Sequence, residues 1–257
     1  MTSSSEATES ILGYAVYAAP PAACADEIAS WIDRSSEPRW LACLNPHSYV
    51  AALGRPRFAD ALKDADWLVP DGVGVVHASR LLGGGIRERI TGSDIFRAVH
   101  ERLQARGSGT VFFLGSTDET LARIRERMAA DWPALKVVGT YSPPFRAEFS
   151  DAEIDEMVAA INAARPDVLW VGMTAPKQEE WIHHVIDRLD VRFAAAIGAV
   201  FDFYIGRVKR SHPAFQRLGL EWLPRLLQEP RRLWRRMFVS APIFVWHVLR
   251  EKARRGL

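Results

Sequence analysis

The chain has 257 residues, 48% hydrophobic and 25% charged, with a formal net charge of +2, the balance of an ordinary globular protein. Disordered, collagen-like and mucin-like chains are excluded, and the length suits one large domain plus an appendage. The charge is unevenly placed: from Arg207 onward thirteen basic residues face three acidic ones, so a basic tail follows an acidic body and calls for an anionic partner.

The first residues, Met1–Glu6, lack a basic segment followed by an apolar one, so no secretory signal is expected. A strand is predicted over Gly13–Ala18, a helix over Ala22–Asp33, a strand over Trp40–Leu44 and a short helix over Ser48–Ala52. Cys24 and Cys43 fit neither a zinc spacing nor a disulfide framework and point to a reducing compartment. Strand Trp67–Val69 leads to helix Val73–Leu81, and helix Asp94–Arg106 to strand Thr110–Gly115. Helix Glu119–Asp131, strand Lys136–Thr140 and helix Asp151–Ala164 follow, the last opened by a Ser150/Glu153 capping box. Strand Val168–Met173, helix Lys177–Leu189 (with Pro176 suited to its first turn) and strand Phe193–Ile197 complete the series. The strands are apolar on both faces, as in a parallel sheet buried on both sides. The prediction is a doubly wound, Rossmann-like α/β core over residues 1–206, with a mainly parallel sheet between two helical layers.

Residues 207–257 form a basic, helical C-terminal appendage. Helices are predicted over Pro213–Gln228 and Leu233–Arg254, broken at Glu229-Pro230. The apolar run Met237–Leu249 would span about 20 Å as a helix, short of the ~30 Å hydrocarbon core. A helix lying in an anionic membrane surface, anchored by Trp234, Phe238, Phe244 and Trp246, is one reading, and a helix packed on the body is the other.

Ligands of doubly wound sheets bind beyond the carboxyl ends of the strands. Asn45 and His47, Asp71, Gly115-Ser116-Thr117, Thr174–Glu179, and Gly198 with Asp202 all follow predicted strands. Asp71 is the best candidate for a general base, because a partly desolvated carboxylate gains basicity, although Asp-Gly is also a routine turn. Gly115-Ser-Thr could hold a phosphate or ribose at a helix N-terminus or be a plain strand-to-helix turn. No GxGxxG opens a helix after the first strand and no Walker A lysine occurs, which disfavours NAD-dependent and P-loop chemistry. The seven histidines form no metal pattern, and the adjacent His183 and His184 read as a solvated helix face. Arg225, Arg232 and Arg235 could neutralise a diphosphate.

Cys43-Leu-Asn45, Pro70-Asp-Gly-Val-Gly74, Glu88–Asp94, Phe113-Leu-Gly115, Pro176-Lys-Gln-Glu179, Phe201-Asp202 and Glu221-Trp-Leu-Pro-Arg225 through Glu229-Pro-Arg-Arg232 occur in this order. Together they resemble the bacterial WecG/TagA/CpsF glycosyltransferases, glycosyltransferase family 26. The resemblance implies an inverting, metal-independent and cofactor-free enzyme. Its donor would be a UDP-sugar, with N-acetylmannosamine or glucose as the sugar, and its acceptor a polyprenyl-diphosphate-linked saccharide for cell-envelope or exopolysaccharide synthesis. The place of work would be the cytoplasmic face of the membrane, with self-association as in relatives.

By the same resemblance Asp71 deprotonates the acceptor hydroxyl, Asn45 positions substrate beside it, and Arg89 and Gln178 line the pocket. Asp202 helps hold the nucleotide, while Arg225, Arg232 and Arg235 close over the site and bind the diphosphate. Cys43 stands where many members carry threonine; a thiol is a weaker donor, which bears on any substrate contact there. The ordered pocket motifs favour this reading over a non-catalytic module that binds membrane or nucleic acid through its tail, and no nucleic-acid partner is expected.

Overall fold

The computed structural model describes residues 8–207 and 234–256. Six parallel strands form the central sheet: β3 (Arg39–Leu44), β4 (Trp67–Pro70), β5 (Gly109–Gly115), β6 (Leu135–Tyr141), β7 (Val168–Gly172) and β8 (Phe193–Ala196), in the order β4-β3-β8-β7-β5-β6. Alternate strand residues feed two cores. Trp40, Leu44, Phe112, Leu114, Leu169 and Val171 face one side, and Leu41, Val111, Phe113, Trp170 and Phe193 the other. This two-sided burial is why the strands read as continuous apolar runs.

Helices α2 (Pro46–Leu53), α3 (Pro56–Lys63), α4 (Val73–Leu81), α7 (Asp151–Ala164) and α8 (Lys177–Val185) cover the first face. Helices α1 (Pro21–Arg34), α5 (Gly92–Arg106), α6 (Asp118–Asp131) and α9 (Val200–Tyr204) cover the second. The expected Ser150/Glu153 capping box opens α7. Pro176 is the N-cap of α8 rather than part of its first turn.

The strand expected at Gly13–Ala18 forms, but outside the parallel sheet. Tyr14–Tyr17 (β2) pairs antiparallel with Thr8–Ile11 (β1). The two-residue turn Leu12-Gly13 has positive φ at both positions, 52° and 85°, the geometry that matches hairpin twist. Glu9 then accepts from the Gly85 backbone N–H at 2.6 Å, tying the hairpin to the glycine-rich loop after α4. Helix α3 begins three residues after α2 ends, and it was hidden because α2 and α3 together carry only two short apolar faces.

The described tail is helical from residue 234, with a π-helical stretch at Arg236–Ser240 followed by α10 (Ala241–Arg255). The expected helix Pro213–Gln228 and the break at Glu229-Pro230 lie outside the described residues. The tail helix packs on the body through one face and leaves apolar residues exposed on the other. Phe244 and Val248 are buried in the first core beside Tyr49, while Phe238, Val245, Trp246 and Leu249 are exposed. Tyr49 Oη lies 2.7 Å from His247 Nδ1, and His47 Nδ1 lies 2.9 Å from Ser240 Oγ, so the tail docks on α2 through polar as well as apolar contacts.

Candidate active site

Neighbouring strands bring distant residues together. Leu44 pairs with Pro70 at the carboxyl ends of β3 and β4, and the Asp71 N–H donates to Leu44 O at 2.8 Å, carrying the ladder one residue further. Asn45 and Asp71, 26 positions apart, therefore lie side by side, and Asn45 Nδ2 donates to Asp71 Oδ2 at 3.2 Å. Asn45 is also the N-cap of α2: its Oδ1 accepts from the backbone N–H groups of His47 and Ser48 at 3.0 and 2.9 Å. Those donors claim the amide oxygen, so the amide nitrogen must face Asp71. Gly74, in the first turn of α4, meets the first residue of α2; a Cβ there would lie 2.6 Å from Pro46 Cγ.

Proline at position 70 has no N–H to give, but its carbonyl accepts from Ile90 N at 2.8 Å. That bond draws the Glu88–Asp94 segment over the strand ends and sets Arg89 within electrostatic reach of Asp71. Burial pushes the Asp71 carboxyl above the ordinary carboxylate range. The Asn45 amide and the Arg89 and Arg236 guanidinium groups favour its ionised form, and Asp94 adds to the rise. A carboxylate of raised basicity, whose ionised form an amide and two cations favour, is equipped to accept a proton.

Cys43, two residues earlier on β3, receives the Gly92 backbone N–H, and its thiol is pushed well up by burial and by Asp71 and Glu179. It is a neutral group in this site, which fits no thiolate role. Gln178 and Glu179 open α8 beside β8: Gln178 Oε1 accepts from Gly198 N at 3.0 Å, and its Nε2 donates to Glu179 Oε1 at 2.9 Å. Since β8 adjoins β3, this second amide lies at the carboxyl end of the strand beside the one that leads to Asn45.

Gly115 stands apart from that cluster. Gly115 ends β5, which β7 and β8 separate from β3. It has φ +114°, and a Cβ would fall 2.5 Å from Gly172 O, so the glycine is required by close strand packing. The following turn closes on itself, with Thr117 capping α6 and Ser142 Oγ donating to Ser116 O. The Asp202 carboxylate pairs with Arg207 at 3.4 Å. Arg225 and Arg232 lie outside the described residues. Arg235 is exposed, whereas Arg236 is half-buried and, among the described residues of the tail, is the cation that acts on Asp71.

His184 is exposed as expected, but His183 Nε2 pairs with Asp64 at 2.8 Å. His100 is a core acceptor for the Trp170 indole N–H, with a pKa pushed down to about 3 by burial. Among the described residues no three His, Cys, Asp or Glu side chains converge as a metal-binding group.

The family described as Glycosyl transferase WecG/TagA/CpsF matches residues 9–256. Similar proteins include the N-acetylglucosaminyldiphosphoundecaprenol N-acetyl-beta-D-mannosaminyltransferase of Bacillus spizizenii, 33% identical over 216 residues that cover 83% of this chain and 79% of the relative. The Bacillus subtilis protein of the same name is 29% identical over 218 residues, covering 82% of this chain and 79% of its own. That of Staphylococcus aureus strain MW2 is 26% identical over 226 residues, covering 86% and 84%.

Proposed function

The chain belongs to the WecG/TagA/CpsF glycosyltransferase family, and we propose that it moves N-acetylmannosamine from a UDP-sugar to a polyprenyl-diphosphate-linked N-acetylglucosamine, with inversion at the anomeric carbon. The names of its relatives support the donor sugar and the acceptor. The observation that carries the mechanism is the Asp71–Asn45 pair, a carboxyl of raised pKa bonded to an amide at the carboxyl ends of two adjacent strands.

In this mechanism Asp71 accepts the proton of the acceptor hydroxyl as that oxygen bonds to the anomeric carbon. The bond from that carbon to the UDP oxygen breaks, and UDP leaves with the electron pair. Positive charge must meet the departing diphosphate, and Arg236 and Arg89, both within electrostatic reach of Asp71, would supply it, with Arg225, Arg232 and Arg235 as further candidates. Arginine forks fit phosphate oxygens and supply the charge without a metal.

The test offers a panel of radiolabelled UDP-sugars with bacterial membranes as acceptor and measures label in solvent-extractable lipid. Label from UDP-N-acetylmannosamine supports the reading, and label only from UDP-glucose would change the donor. Absence of both transfer and UDP binding would overturn it.

The enzyme would work as a peripheral protein on the inner membrane face. No described helix is long and apolar enough to cross a membrane. The outer face of α10 instead presents Val245, Trp246 (57% exposed) and Leu249, with the Arg250 guanidinium 5.4 Å from the Trp246 ring centroid. This apolar stripe with a basic rim fits the boundary between acyl chains and anionic headgroups. Replacing Trp246 and Leu249 by serine is expected to weaken binding to phosphatidylglycerol vesicles at least about tenfold. The melting temperature should hold, because both side chains are exposed. Equal co-sedimentation of the variant would remove α10 from the membrane contact.

A further inference from the structure

Glu179, next to Gln178 in the first turn of α8, is only 3% exposed. Its Oε1 accepts from Gln178 Nε2 at 2.9 Å, and among the described residues its Oε2 has no hydrogen-bond partner. A carboxyl buried with one oxygen unmatched destabilises a fold, so packing alone does not account for an acid here.

Gln178 is 4% exposed and is gripped from both sides. Its Oε1 takes the Gly198 backbone N–H at 3.0 Å, and its Nε2 gives one hydrogen to Glu179. A backbone N–H can only donate and a carboxylate can only accept, so the two neighbours together allow a single orientation of the carboxamide. With Oε1 committed, what Gln178 still offers is the second hydrogen of Nε2. Without Glu179, only the Gly198 bond would restrain the carboxamide.

We propose that Glu179 is a positioning residue: it locks the Gln178 carboxamide so that the remaining N–H is a fixed donor to substrate, and the substrate atom received there is an oxygen acceptor of the sugar or the diphosphate. The proposal rests on the glycosyl-transfer reading for what the substrate is, but not for the lock itself. Burial pushes the Glu179 pKa up to about 7, with Glu180 adding to the rise, while Gln178 and its own backbone N–H favour the ionised form. The half-buried Cys43 thiol lies within electrostatic reach of it and is neutral.

The experiment uses the full chain with Glu179→Gln, Glu179→Leu, Gln178→Ala and the Gln178→Ala/Glu179→Leu double variant. It measures kcat/KM for transfer, melting temperature, and hydrogen exchange of the Gln178 side-chain amide by ¹H–¹⁵N NMR. Glutamine at position 179 still accepts, so that variant should stay within about threefold of the unaltered protein, whereas leucine should lower kcat/KM about tenfold. In the Gln178→Ala background the leucine change should cost nothing further, because a residue acting through Gln178 has nothing left to act on. One Gln178 amide proton should exchange slowly in the unaltered protein and in Glu179→Gln, and lose that protection in Glu179→Leu.

Full activity in Glu179→Leu, or losses that multiply in the double variant, would overturn the proposal. If the leucine variant does not fold, a tenfold loss in a normally melting Glu179→Gln would do the same. If the unaltered protein transfers no sugar, the glycosyltransferase reading fails, and the exchange measurement still reports whether Glu179 holds the amide.

Discussion

Replacing Asp71 by asparagine is expected to lower the transfer rate about 10²–10⁴-fold, the range attributed to a positioned general base. The substitution preserves shape, and the position keeps its backbone bond to Leu44 O and an oxygen for Asn45 Nδ2. The fold should therefore hold, and UDP should bind nearly as before. Calorimetric UDP binding measured beside transfer separates the outcomes: lost transfer with retained binding identifies the base. An undiminished rate would move that role away from Asp71.

The pH profile carries a second signature. Asp71 works only when ionised, and burial raises its pKa, so kcat/KM should fall on the acid side at a pH above the ordinary carboxylate range. Burial pushes the Glu179 pKa up to about 7, and because its protonated carboxyl still offers an acceptor oxygen to Gln178 it should add no more than about threefold to that limb. The Glu179→Gln variant isolates the contribution of Asp71.

Arg236→Ala should have the second largest effect, lowering kcat about 10²-fold by removing a preorganised charge from the site. Its sign on the profile is fixed by the electrostatics. Arg236 favours the ionised form of Asp71, so its loss raises that pKa further and moves the acid limb to higher pH. Arg235→Ala, at an exposed position of the same helix, should leave the limb in place. Equal limbs for the two variants would mean that Arg236 does not act on the base.

The contrast between these two arginines shows where reading the sequence stops. Spacing from Arg232 favoured Arg235, on the assumption of an unbroken α-helical period. The two arginines are neighbours in the chain, and only the packing of the tail on the body decides that Arg236 is half-buried and acts on Asp71 while Arg235 is exposed. Glu179 was legible only as part of the Pro176-Lys-Gln-Glu179 motif, because nothing in the neighbouring residues records that both it and Gln178 would be buried. The hairpin misled in a similar way. Gly13–Ala18 has a strand pattern, but its partner Thr8–Ile11 decided that it would pair locally and stay out of the main sheet.

Much else followed from local chemistry. The both-face apolar runs announced buried parallel strands, the Ser150/Glu153 box marked the start of α7, and polar residues after strands marked the edge that carries the Asp71–Asn45 pair. These features are set within a few residues of chain, where periodicity and capping act. The order β4-β3-β8-β7-β5-β6 was set by long-range packing, and it alone put Asn45 beside Asp71, placed Gln178 at the carboxyl end of the strand beside β3 and left Gly115 two strands further away. Desolvation depends on that packing too, so the sequence determined which acids and amides the protein has, and the tertiary structure decided which carboxylate is buried beside an amide and two guanidinium groups.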